Sequence, residues 1–109
     1  MDASFLARLG DQQLFLRVSA NARHCREGEV TLLYDLAEVD RRRLYHKHGA
    51  TSLFDFCTRH LHLSESAAYK RMTVARAVGR FAQLAEALKA GRLHLAGAVV
   101  LVPILNDKL

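Results

Sequence analysis

The chain has 109 residues, enough for one modest core and too few for two independent ones. Half of it is apolar and a quarter charged, which excludes a disordered segment. One proline and six glycines among many Ala and Leu favour long helices over a set of short strands. A formal charge of +5 and a sequence pI near 9.7 suit an acidic partner.

That charge is unevenly placed. From position 40 to position 92 the cations are Arg41, Arg42, Arg43, Lys47, Arg59, Lys70, Arg71, Arg76, Arg80, Lys89 and Arg92, against Asp40, Asp55, Glu65 and Glu86. The opening MDASFLARLGDQQ lacks the basic and apolar regions of a secretory signal. The longest apolar run, at 95–105, is shorter than the roughly 20 residues of a membrane span, so a cytoplasmic protein with no membrane partner is expected. Cys25 and Cys57 stand alone, without metal or disulfide-framework spacing, and read as reduced thiols.

In chain order, the first helical pattern begins at Leu14 and continues through Val18, Ala22 and Cys25 to Leu32, Leu33, Leu36, Val39 and Tyr45. Gly28 costs a helix about 1 kcal/mol relative to alanine, leaving one kinked helix or two as alternatives. Gly49 after Lys47 and His48 has the character of a left-handed C-cap. Thr51 or Ser52 caps the next helix, and Ser52 with Asp55 forms a relaxed capping box; that helix is short and ends near His60 or Leu61. Ser64 caps another, with Glu65 in its first turn and an end near Gly79. FAQLAEALKA stops at Gly91, and the final LHLAGAVVLVPIL is apolar nearly all round, with Pro103 expected to kink or end it.

The fold class read from these signals is all-α. It is a compact bundle of about five or six helices in a single domain spanning 1–109, containing a helix-turn-helix-like pair at about 52–79. In that pair Leu63 and Ser64 occupy the turn's apolar and capping positions, Ala68 supplies the small helix-to-helix contact, and Met72 meets the core. His62 stands where a glycine is usual, so a positive φ there is strained.

A helical wheel of the segment after Ser64 gathers Ala67, Ala68, Met72, Val74, Ala75 and Val78 on one side. Ser66, Tyr69, Lys70, Thr73, Arg76 and Arg80 lie on the other, and these are the DNA-binding candidates, since donors and cations are what phosphates and base edges require. The same pattern is also that of a solvated face on a basic protein. Arg71 falls inside the apolar sector and needs a partner: Asp40 is the expected one, with Glu38 and Asp55 as alternatives. The pair reads as a structural lock between helices, or else Arg71 reaches past the helix edge to a ligand phosphate.

His46 with His48, and His60 with His62, diverge by about 200° on a helix and make poor ligand pairs, so no metal and no other cofactor is expected. No phosphate-binding glycine loop, G-x-S-x-G or H-E-x-x-H is present, so no catalytic residue is assigned.

EVDRRRLY at 38–45, SLFDFCTRHLHLSESAAYKR at 52–71, VARAVGRF at 74–81 and GRLHL at 91–95 together resemble the helical N-terminal region of bacterial HNH endonuclease-like proteins, over about Leu36 to Leu105. The resemblance implies an accessory region preceding a C-terminal metal-binding nuclease module. Asn21 and Asn106 are the only asparagines in the chain, and no His-Asn-His unit can be assembled from them. The expected function is therefore a non-catalytic, DNA-associated helical domain whose partners are double-stranded DNA and a nuclease module beyond Leu109. The alternative is a bundle that associates with another protein or a second copy without binding DNA.

Overall fold

A computed structural model describes residues 3–108; residues 1, 2 and 109, including the first two positions of the opening segment, lie outside it. Within it the helices are α1 (Ala3–Ala7), α2 (Asp11–Arg42), α3 (Leu53–Arg59), α4 (Glu65–Val78), α5 (Ala82–Ala90) and α6 (Leu95–Lys108), with a 3-10 segment at Leu44–His48. The all-α expectation and the helix count hold, and α1 is an addition that the sequence pattern did not show.

The spine is α2. Its 32 residues span about 48 Å at 1.5 Å per residue, matching the longest dimension of the molecule, 48 Å. Of the two alternatives at Gly28 the unbroken helix is realised. It begins three residues earlier than Leu14, where the Gln13 side chain accepts the Gly10 N–H at 3.0 Å. Its end comes sooner than Gly49: Arg43 takes a left-handed conformation with φ 51° and closes α2 at Arg42. Gly49, at φ 78°, caps the 3-10 segment instead.

The remaining caps behave as their chemistry dictates. Ser52 Oγ accepts from Asp55 N–H at 3.0 Å, and Ser64 Oγ accepts from Ala67 N–H at 3.1 Å. Gly91 ends α5 at φ 79°. Between α3 and α4 the turn is drawn in by the Leu63 N–H, which donates to Cys57 O at 3.1 Å, and His62 adopts φ 58°, the strained conformation expected of it.

Packing centres on α4, which contacts α2, α3, α5 and α6. Ala68, Val74, Ala75, Ala77 and Val78 are buried on it, so nearly all of its circumference beyond the solvent stripe is core. Ala77 is an addition to the apolar side drawn from the wheel. Leu33 and Leu36 of α2, Leu53 and Cys57 of α3, Leu84 and Leu88 of α5, and Ala98 and Val102 of α6 complete one contiguous core. Burial pushes the Cys57 thiol above its ordinary pKa, consistent with an unreactive packing role.

Pro103 does not end α6, which runs through it from Leu95 to Lys108. The apolar segment keeps open positions, Val100 at 68 % and Ile104 at 50 % exposed, on a helix that packs chiefly against α4.

Replacing Ser64 by Ala removes the α4 cap and is expected to lower unfolding free energy by about 1 kcal/mol. His62→Gly relieves the positive φ at an exposed position and should raise it by about 0.5–1 kcal/mol. Urea denaturation of both variants beside the parent checks the two signs.

Candidate nucleic-acid interface

The solvent face of α4 is a stripe running from Glu65 and Ser66 through Tyr69 and Thr73 to Arg76 and Arg80. Ser66, Tyr69, Arg76 and Arg80 are exposed and Thr73 half-buried. Tyr69 is the prominent aromatic, 54 % exposed. Lys70 departs from the group. Its position on the wheel lies between those of Ala77 and Val74, and it is half-buried, its stem covering the edge of the core.

The two arginines of the stripe are engaged within the protein. Arg76 grips Asp40 at the C-terminal end of α2 through Nε to Oδ2 at 3.1 Å and Nη2 to Oδ1 at 3.4 Å. Arg80 donates Nη1 to Asn106 Oδ1 at 3.0 Å, and its guanidinium carbon lies 5.1 Å from the centre of the Phe81 ring. Asp40 compensates much of the charge of Arg76, whereas Arg80 is held by neutral groups and keeps its full charge. Arg80 is thus the less neutralised of the two.

Asp40 is not the partner of Arg71, nor is Glu38 or Asp55. Arg71 pairs with Glu29, donating Nη2 to Oε2 at 3.3 Å with Nε 3.0 Å from Oε1, while Nη1 donates to Ala67 O at 3.1 Å. The Nε contact brings the charges together without the alignment of a hydrogen bond, so Oε1 is a buried oxygen held by charge alone. Both side chains keep only about a quarter of their surface, 22 % and 25 %. The correction follows from how α2 crosses α4: its midpoint faces Arg71 and its C-terminal end faces Arg76. Sequence spacing carries no information on that crossing, and Glu29 was missed for this reason.

Arg41, Arg42 and Arg59 form local pairs. Arg41 and Arg42 both donate to Glu38, whose carboxyl these hydrogen bonds lower from 4.5 to about 2. Asp55 is likewise lowered, first by the Thr51 N–H that donates to it at 2.9 Å and then by Arg59 at 3.1 Å. The histidines assemble into a stacked edge instead of a ligand set: His48 and His60 lie 6.1 Å apart, and both flank Phe56. Among the described residues no three His, Cys, Asp or Glu side chains converge as metal ligands. No helix of the described residues is long and apolar enough to cross a membrane.

One further concavity was not visible in the sequence. Cys25, Arg26 and Glu29 of α2, with Arg71, Leu88 and His94, line a cleft where α2 meets the α5–α6 connection. Arg26 closes one edge by donating Nε to Lys89 O at 3.1 Å. In comparisons with known proteins, no family model, curated protein or solved structure matches the chain.

Two measurements check these electrostatics. Glu29→Ala strands Arg71 in a partly buried site and should cost about 1.5–3 kcal/mol, whereas Asp40→Ala removes a more exposed pair and should cost under about 1 kcal/mol. Glu38 binds its proton more weakly folded than unfolded, so its stabilisation is complete above its ordinary value and is lost as pH falls from 4.5 towards about 2. An NMR titration of the Glu38 carboxyl carbon should show a midpoint near 2, returning towards 4.5 when Arg41 and Arg42 are both replaced by Gln.

Proposed function

We propose that this chain is a non-catalytic, DNA-associated helical domain that presents α4 to the duplex as the second helix of a helix-turn-helix-like pair. The observation carrying this reading is the polar stripe of Ser66, Tyr69 and Thr73 along the stretch from Glu65 to Thr73 of a 14-residue helix whose other sides are locked into the core. Recognition helices enter the major groove by their N-terminal residues, and a helix held on its other sides keeps such groups in register. Ser66 and Thr73 offer hydroxyls that can donate or accept at base edges, and Tyr69 adds a phenolic group and a ring face.

Support also comes from the α3–α4 turn. Ser64 caps α4, Leu63 is half-buried beneath the turn, and Ala68 is fully buried where the two helices approach. Lys70 and Arg80 would position on phosphates, and Arg76 would contribute more weakly because Asp40 already occupies it. Glu65, beside Ser66 at the start of the stripe, opposes close approach of a phosphate there, so contact should be centred on Tyr69 and Thr73. The resemblance of about Leu36 to Leu105 to the N-terminal region of HNH endonuclease-like proteins supports the same reading, under which the chain would be an accessory region to a nuclease module.

Fluorescence anisotropy on a labelled duplex tests the reading. Three phosphate contacts give a log-log salt slope of about −2.7, so affinity should drop about 40-fold between about 50 and 200 mM salt. Lys70→Glu with Arg80→Glu should abolish binding, and Tyr69→Ala should weaken it about tenfold at either salt. Absence of binding at low salt defeats the proposal, leaving the association bundle; binding indifferent to these substitutions moves the interface off α4.

A further inference from the structure

The first half of α2 is an arm without a core. No residue of α2 before Val30 is buried, and α1 at its tip buries none. The arm is nevertheless patterned. On the wheel, Asp11, Phe15, Val18, Ala22 and Arg26 fall within the sector that, further along, carries the buried Val30, Leu33 and Leu36. Phe15 is 62 % exposed, Val18 58 % and Leu14, at the sector's edge, 44 %. The core seam of the bundle thus runs out along the arm, flanked at one edge by α1, whose Leu6 lines a groove with Leu14 and Val18 and whose Phe5 ring centre lies 5.7 Å from the Arg17 guanidinium carbon, while Phe15 and Val18 stay open to solvent.

The order of residues on this face matches itself when reversed. Set two copies antiparallel with the two-fold axis between Val18 and Ser19: Phe15 then meets Ala22 of the second copy, a large side chain over a small one, twice. Val18 and Ser19 flank the axis at the centre, each beside its own counterpart, and Asp11 meets Arg26 at each end, again twice. The outer layers pair large with small and acid with base, and no like charges oppose. A parallel pairing would stack Phe15 on Phe15, Asp11 on Asp11 and Arg26 on Arg26. Arg26 is preset for this role, since its Nε bond to Lys89 O fixes the guanidinium at the root of the arm.

The area suffices. A phenylalanine offers roughly 150–250 Å², so Phe15 with Val18, Leu14, Ala22 and the flanking stems presents on the order of 500 Å² per arm. Two-fold pairing doubles that to about 1,000 Å², the lower bound of a specific interface. The exposed apolar residues of α6, Val100, Leu101 and Ile104, have no flanking charges of opposite sign arranged this way.

We propose that the chain forms a two-fold dimer by antiparallel pairing of residues 11–26 of α2 with the same residues of a second copy. This holds whether or not α4 binds DNA. Light scattering of the full chain at high micromolar concentration should give twice the chain mass. Phe15→Glu should raise the dissociation constant roughly 30-fold or more, the loss of an aromatic anchor, without loss of helical circular dichroism, since Phe15 supports no core. Leu16→Glu, on the other side of the arm, should leave the dimer intact.

Register is tested by oxidation. In a Cys25→Ala background Val18→Cys should crosslink to itself, and Phe15→Cys should crosslink to Ala22→Cys but not to itself. A monomeric parent overturns the proposal and leaves the arm to a different protein. A dimer insensitive to Phe15→Glu, dispersed instead by Val100→Glu with Ile104→Glu, overturns it in favour of α6. Self-crosslinking of Phe15→Cys overturns the antiparallel register.

Discussion

The bundle depends on how closely four helices can approach α4. Alanine at 68, 75 and 77 gives that helix a thin surface on several sides, so that α2, α3, α5 and α6 can share it as their common support. A leucine at any of these positions would lever one neighbour away, because interiors at native density have no slack for the extra methylenes. The same compactness leaves α4 only one free stripe, and any role for this helix in recognition has to be carried by the residues on it.

Electrostatics sharpens that constraint. A reading by composition credits the chain with an excess of free positive charge, yet most of the arginines in its central part already have partners: Arg41 and Arg42 share Glu38, Arg59 holds Asp55, Arg71 holds Glu29 and Arg76 holds Asp40. These exposed pairs contribute little to stability individually. Their larger effect is on the surface potential, which falls chiefly to residues not locked into ion pairs, Lys70 and Arg80 among those on α4. Arg71 differs in kind, since it and Glu29 join α2 to α4 across 42 residues of sequence in a partly buried setting and so help define how those helices cross.

Local chemistry was legible wherever a single residue acts on its own backbone. Ser52 and Ser64 cap as their types require, Gly49 and Gly91 take left-handed conformations, and His62 accepts the positive φ that its place in the turn demands. Gly28 was ambiguous because its cost, about 1 kcal/mol, is small beside that of interrupting a 32-residue helix whose second half is packed. Pro103 lies inside α6, which continues past it to Lys108.

The sequence by itself determined the helices other than α1, the serine caps and left-handed glycines, the turn before Ser64 and the polar stripe of α4, because each follows from interactions within one or two turns of chain. Tertiary structure alone decided that Glu29, not Asp40, answers Arg71, that Arg76 is occupied, that Lys70 is half sunk at the edge of the core, and that the arm of α2 outruns the bundle. Those facts depend on the angle and offset at which helices cross, set by the summed fit of many side chains distant in sequence, and no local pattern encodes that sum.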